Sequence, residues 1–291
     1  MSKGRVYKGV GGFFYVYGEG KSVVCKARKK TGFRGEVVTV GDYVEYEEGK
    51  DYAVIDRVLE PFNRLIRPAV SNVDVLVILL APLPEPDYLL VDKLTVNAFK
   101  NGIEPYVAVN KTDIADESFI RGIISDYEDF ACGTLCFSTV TGEGTEEFRR
   151  LFKGKTVVLA GQSAVGKTSL LNRLTGLDRE VGELSAKTER GRHTTRHNEI
   201  YMLEDGLCIA DTAGFSVFTE TEVPSNQLAA YYPEMVRLGR ECKVRGCVHV
   251  HEPGCAVKKA AEEGLISPGR YKRYVELYKL IREEEKNNYR K

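Results

Sequence analysis

Thr156-Val-Val-Leu-Ala160-Gly161-Gln-Ser-Ala-Val-Gly166-Lys167-Thr168-Ser169-Leu-Leu-Asn-Arg-Leu174 reads as a short strand, a glycine-bounded loop and the start of a helix. The run Thr156–Ala160 lacks polar alternation, as expected of a strand covered on both faces. Gly161 and Gly166 let the backbone N–H groups between them curl around phosphate oxygens, and the helix that follows adds a favourable dipole. This spacing, after a strand and before a helix, is that of a phosphate-binding loop. It assigns Gly161, Gln162, Ser163, Ala164, Val165, Gly166, Lys167, Thr168 and Ser169 to nucleotide binding. Lys167 would reach the β- and γ-phosphates, and the Thr168 hydroxyl would hold Mg²⁺.

The same alternation extends outward. Val73–Leu80 is a continuous apolar run, Tyr88–Asn101 a helical stretch, and Pro105–Val109 a second buried strand. Further strands are expected at Thr134–Phe137 and Leu207–Ala210. Strand–helix alternation of this kind predicts an α/β domain with a mostly parallel sheet wrapped by helices.

Each strand end then carries a polar motif. Asn110-Lys111-Thr112-Asp113 follows Pro105–Val109. Guanine offers two adjacent donors, N1–H and N2–H₂, and the Asp113 carboxylate can accept both; adenine would leave a buried acceptor unpaired. Asn110 would tie this loop to the phosphate loop, and the Lys111 stem would cover the base. Ser138 ends the next strand, where a backbone N–H can meet the guanine oxygen. Asp211-Thr-Ala-Gly214 lies 44 residues past Lys167. Asp211 would belong to the Mg²⁺ shell, and the Gly214 N–H would sense the γ-phosphate. Between them, Gly191-Arg-His193-Thr194-Thr195-Arg196-His197 supplies a switch threonine, Thr195 in preference to Thr194.

In the usual GTPase order the phosphate loop comes first and Asn-Lys-x-Asp near the end. Here Asn110–Asp113 and Ser138 precede Gly161, so the connectivity is circularly permuted, which a sheet with neighbouring termini tolerates. As a result the segment leaving Asp211–Gly214 feeds directly into the C-terminal region. Phe215 stands where many GTPases carry a water-orienting glutamine, so unaided hydrolysis should be slow. His193 is the candidate for positioning water, the alternative being that it only caps its loop.

The ends differ from the middle. Residues 1–68 carry 13 basic and 9 acidic side chains, residues 240–291 carry 13 and 8, and residues 69–239 carry 16 and 25, within a chain of zero net charge. Basic ends around an acidic centre suit contact with nucleic acid. Val6–Val10, Phe13–Tyr17, Ser22–Lys26, Tyr43–Tyr46 and Ala53–Val58 read as five strands of a small barrel, OB-like or alternatively SH3-like. Lys26-Ala-Arg28-Lys29-Lys30 and Arg34 form a basic loop on it. Phe13, Phe14, Tyr15 and Tyr17 could be barrel core or base-stacking platforms.

Past residue 222 the pattern is helical, with Tyr271, Tyr274, Val275, Tyr278 and Ile281 on one face. Cys242-x₄-Cys247-x-His249-x₅-Cys255 supplies three thiolates and an imidazole, the ligand set of a structural zinc, with His251 as the alternative to His249. Cys25, Cys132, Cys136 and Cys208 are expected to be small core residues. No signal peptide or membrane-spanning run is present, so a cytoplasmic protein is expected; it is also expected to be a monomer. The divisions are a barrel over 1–66, a permuted GTPase domain over 67–222 and a zinc-binding helical domain over 223–291.

Together these features resemble the RsgA (YjeQ) family of small-ribosomal-subunit-dependent GTPases. The resemblance rests on Gly41-Asp-Tyr-Val44, the permuted motifs, Gly191-Arg-His-Thr-Thr195, and the segment from Cys242 through His249 to Glu252-Pro-Gly-Cys255-Ala-Val. It implies a late-stage assembly factor that binds the small subunit's rRNA, is stimulated by it and leaves after hydrolysis. It also implies GTP/GDP, Mg²⁺ and one Zn²⁺ as cofactors, and a catalytic role for His193. Thr139, where the family pattern has alanine, is the one mild departure.

Overall fold

The computed structural model describes residues 1–28, 37–66, 69–177, 199–211, 221 and 223–288. Five strands, β1 (Ser2–Val10), β2 (Phe13–Gly18), β3 (Lys21–Ala27), β4 (Tyr43–Glu47) and β5 (Ala53–Val58), close into an OB-like barrel. The ring runs β1-β2-β3-β5-β4 and back to β1, with β3 and β5 parallel and the other pairs antiparallel. Its core is Val6, Val16, Cys25, Val44, Tyr46, Ala53 and Ile55. Tyr17 is 43% exposed, while Phe14 packs partly on the core. Alternation along β2 therefore sends Val16 inward and its neighbour Tyr17 out.

A hairpin of β6 (Arg64–Ile66) and β7 (Ala69–Ser71) leads out of the barrel. Gly41 meets it so closely that a Cβ there would lie 2.1 Å from the Ser71 carbonyl oxygen, and its φ of +93° suits glycine alone.

Six further strands form the second half of one continuous sheet: β8 (Val75–Leu80), β9 (Glu104–Val109), β10 (Gly133–Cys136), β11 (Thr156–Ala160), β12 (Glu199–Met202) and β13 (Cys208–Asp211). Their order is β10-β9-β8-β11-β13-β12, parallel except for β12. All six residues of β8 are buried. Val75, Val77 and Leu79 join one core with α3 (Thr145–Leu151) and α4 (Lys167–Thr175). Leu76, Ile78 and Leu80 join the opposite core with α1 (Tyr88–Lys100) and α2 (Glu117–Tyr127). Two covered faces explain the unbroken apolar run.

The C-terminal helices, a 3-10 helix (Ser225–Tyr231), α5 (Pro233–Gly239), α6 (Ala256–Glu262) and α7 (Pro268–Asn288), have no separate core. Tyr232, Met235, Val257 and Tyr274 belong to the same cluster as α1 and α2. At the other end the barrel joins the sheet through β1 and β12, where Lys8 and Glu199 pair at 3.0 Å. Buried Arg5 donates to the Thr156 hydroxyl (2.8 Å) and the Asn72 carbonyl (3.2 Å) across the same seam.

Among the cysteines, Cys25 is buried and Cys136 and Cys208 are half-buried. Cys132, expected in the core, is exposed, because it sits in the turn before β10 and not within the strand.

Candidate functional site

Parallel strands put all their carboxyl-terminal loops on one sheet edge, and in open α/β sheets that edge binds ligands. Here it gathers the loops after β8, β9, β10 and β11, with Asp211 at the end of β13. Asn110 is fully buried between two of them. Its Nδ2 donates to the Val165 carbonyl at 2.8 Å, and its Oδ1 accepts the Thr139 N–H at 3.1 Å. Gly166, at φ +100°, faces this amide so closely that a Cβ would lie 2.1 Å from Nδ2.

Lys111 donates to the carbonyls of Ala164 (2.9 Å) and Leu83 (2.7 Å). Asp113 accepts from the Ser138 hydroxyl, whose oxygen in turn accepts the N–H groups of Val140 and Thr141. Asn110 and Lys111 thus stand against Val165 and Ala164, 55 and 53 residues further along the chain, while Asp113 is held by Ser138 and the Ser138 loop by Asn110.

Within the phosphate loop, Gly161 and Val165 are buried, Ser163 and Ala164 are exposed, and Lys167, Thr168 and Ser169 begin α4. Lys167 Nζ donates to the carbonyls of Gly161 (2.8 Å) and Gln162 (2.6 Å). Burial lowers its pKa to about 8, since the charged form loses hydration there. The Gln162 side chain bridges outward, accepting the Asp87 N–H (2.8 Å) and donating to the Glu85 carbonyl (3.1 Å). Asp211 closes β13, the parallel neighbour of β11. His193, Thr195 and Gly214, together with Thr194 and His197, lie outside the described residues.

Two contacts had no signature in the sequence. Arg173, on α4, donates to the carbonyls of Thr139 and Thr141, both at 3.3 Å, clamping the Ser138 loop to the phosphate-loop helix. The Gln162 bridge was equally invisible, because its partners are backbone groups of a loop upstream of α1.

A second centre lies in the C-terminal helices. One donor atom each from Cys242, Cys247, His249 and Cys255 falls within 4.8 Å of the others. The Cys242 and Cys255 sulfurs are 3.8 Å apart, and His249 Nδ1 stands 3.6 Å and 3.4 Å from them. Donors around a tetrahedral zinc, at ~2.3 Å for sulfur and ~2.0 Å for nitrogen, lie roughly 3.5–3.8 Å apart. The donor set and its spacing fit that ion. His251 is exposed, outside the group, its ring against Tyr278. Glu252 accepts the N–H groups of Val248, Val250 and His251, shaping the ligand loop.

A parallel sheet carrying a phosphate loop, with a guanine-type loop bonded to it from earlier in the chain, defines a circularly permuted P-loop GTPase. The sequence model of the RsgA GTPase matches residues 58–221, and that of the RsgA N-terminal domain matches residues 3–54. The chain is 38% identical to the small ribosomal subunit biogenesis GTPase RsgA of Ruminiclostridium cellulolyticum over 97% of this chain and 95% of that protein. It is also 38% identical to the protein of the same name from Caldanaerobacter subterraneus, over 99% and 98% of the two chains. Among solved structures, YjeQ from Thermotoga maritima superposes with a TM-score of 0.82 at 32% identity, over 96% of this chain and 98% of that one. YloQ, described as a circularly permuted GTPase, gives 0.80 at 31% identity over 98% and 96%. The chain belongs to the RsgA GTPase family and is a GTPase.

Proposed function

We propose that this GTPase acts in biogenesis of the small ribosomal subunit, hydrolysing GTP to GDP and phosphate with stimulation by the subunit and departing afterwards. The observation that carries the site reading is the Asn110 amide, which bonds the phosphate loop and the Ser138 loop at once. In this reading Asp113 accepts the two guanine donors, the Lys111 stem covers the base, and the Ser138 backbone faces the guanine oxygen. The N–H groups of Gly161–Ser169 hold the phosphates, with Lys167 exchanging its two carbonyl partners for phosphate oxygens. Thr168, Asp211 and Thr195 would hold Mg²⁺, which neutralises charge on the β- and γ-phosphates when bound. His193 positions the attacking water, and Gly214 senses the γ-phosphate.

The ribosomal part is supported by the relatives' names and by surface chemistry. On the barrel, Tyr7 and Tyr15 rings lie 6.2 Å apart, and Lys26 Nζ stands over both Phe13 (4.5 Å) and Tyr52 (4.4 Å). A cation among partly exposed aromatics suits stacking against rRNA bases. Arg28 is partly committed to Asp56 at 2.8 Å, while Lys29, Lys30 and Arg34 fall outside the described residues. Lys243, Arg245 and Lys258 around the metal-ligand cluster add phosphate-binding charge. We take the protein to be a cytoplasmic monomer, divided near residues 66 and 222, with one structural Zn²⁺. No helix among the described residues is long and apolar enough to cross a membrane.

Single-turnover GTP hydrolysis with and without purified small subunits tests the proposal: no stimulation removes the ribosomal part. Sedimentation with each subunit, in GDP and in a non-hydrolysable GTP analogue, should show nucleotide-dependent binding to the small one. Asp113→Asn should move preference from GTP toward xanthosine triphosphate, and an unchanged preference removes Asp113 from base recognition.

A further inference from the structure

Helix α1 touches the phosphate loop at one end and the C-terminal helices along its side. The loop that leads into α1 is held by Gln162, through the Asp87 N–H and the Glu85 carbonyl. Asp87 also caps the helix by accepting the Leu90 N–H at 2.9 Å. Farther along, Asp92 is fully buried and shared by two arginines of α7. Arg273 Nε donates to its Oδ2 at 2.9 Å, and Arg270 Nη1 lies 3.6 Å from its Oδ1, which also accepts the Tyr127 hydroxyl at 3.1 Å.

Arg270 is itself 3% exposed, donates to Glu234 of α5, and lies 3.2 Å from the centre of the Phe130 ring. One and four residues beyond Arg270, the Tyr271 and Tyr274 hydroxyls donate to the carbonyls of His249 (2.7 Å) and Val248 (2.6 Å), inside the metal-ligand loop. A chain of direct contacts therefore runs from Gln162 through α1 and α7 to His249.

The middle of that chain is underpaired. Arg270 Nη1 and Nη2, Glu234 Oε2 and the Tyr232 hydroxyl are buried without a hydrogen-bond partner among the described residues. Buried ionic groups left short of partners are costly. Asp92 has two cationic neighbours and Arg270 two anionic ones, so a small shift of α1 can exchange pairings while filling idle donors. Packed clusters with two pairings switch between them and do not deform continuously.

We propose that α1 is a lever between the nucleotide and the zinc-ligand loop, with Asp92, Arg270, Arg273 and Glu234 as its seat. The trigger is at Gln162. Its carbonyl and that of Gly161 hold Lys167 Nζ. Phosphate oxygens draw the ammonium away, the Gly161–Gln162 backbone relaxes, and the Gln162 amide carries the movement to residues 85–87 and α1. The cluster re-pairs, and α7 transmits the change to residues 248–262. This rests on the reading of Gly161–Ser169 as the phosphate loop. It is separate from the covalent route that leaves Asp211.

Amide hydrogen exchange on the full chain, with and without Mg²⁺-GDP, tests it. Peptides covering 161–169 report nucleotide binding, and peptides covering 248–262 report the lever. In the wild type both should change, the second by about fivefold or more. In Asp92→Asn the first should still change and the second should not. Arg273→Gln, at a side chain 14% exposed, should behave likewise and stands in if Asp92→Asn fails to fold. A wild-type response at 161–169 with none at 248–262 overturns the lever, as does a full distal response in the folded variants. No response in either segment removes the phosphate-loop reading and the lever with it.

Discussion

Lys167→Met should make the nucleotide-free protein more stable while weakening nucleotide binding. The ammonium sits largely out of water and is satisfied by two neutral carbonyl oxygens. A pKa lowered from 10.5 to about 8 corresponds to a penalty of about 3 kcal/mol on the charged form. Because the folded value is depressed, the unfolded chain holds more protons between pH 8 and 10.5. Stability of the free protein therefore rises with pH across that window, and below pH 8 the full penalty is present. Methionine keeps the stem and removes the charge but leaves the Gly161 and Gln162 carbonyls without their donor, so urea denaturation at pH 7 should show a net gain well below about 3 kcal/mol, absent above the window.

Binding runs the other way. Phosphates pair with the ammonium, so above pH 8 GDP must be accompanied by proton uptake at Lys167. Calorimetric titrations in two buffers of different ionisation enthalpy should show about 0.1 proton taken up at pH 7 and nearly one at pH 9, with affinity falling toward tenfold per pH unit beyond 8. Equal uptake at both pH values, or a destabilised Lys167→Met, refutes the reasoning.

Asn110→Ala strands the Val165 carbonyl and the Thr139 N–H. It should cost about 3 kcal/mol in denaturant unfolding and lower GDP affinity, because both loops loosen. Cys242→Ser should reduce bound zinc, measured by elemental analysis, from one ion per chain to a small fraction. It should also speed amide exchange across α6, since the ligand loop loses a tether. Arg5→Met removes two bonds across the seam between barrel and sheet. It should cost about 2 kcal/mol and split thermal unfolding into two transitions as the barrel uncouples; a single unshifted transition would deny Arg5 that role.

Local information was enough for the fold class. Val75–Leu80 and Thr156–Ala160 are apolar throughout because strands buried on both faces must be, and the barrel strands are short, with turn residues between them. The glycines and Lys167 mark a loop whose chemistry follows from a few adjacent residues. Zinc-type spacing around Cys242–Cys255 is local in the same sense, and the placement of four donors within 4.8 Å needed no distant partner to be foreseen.

What periodicity could not supply was proximity between distant segments. Cys132 was expected in the core, yet it sits one position before β10, in a turn, and is exposed. Arg5, Arg173, Gln162 and the Asp92–Arg270–Arg273 cluster carry no motif, because each acts on a backbone group or a buried ion contributed from elsewhere in the chain. The parallel order of β9, β8 and β11 sets Asn110 beside Val165, and that order is decided only when the helices bury both faces of the sheet. Sequence alone named the groups expected to serve nucleotide and metal. Tertiary structure decided which of them meet, because hydrogen bonds and ion pairs depend on distance in space, to which spacing along the chain is blind.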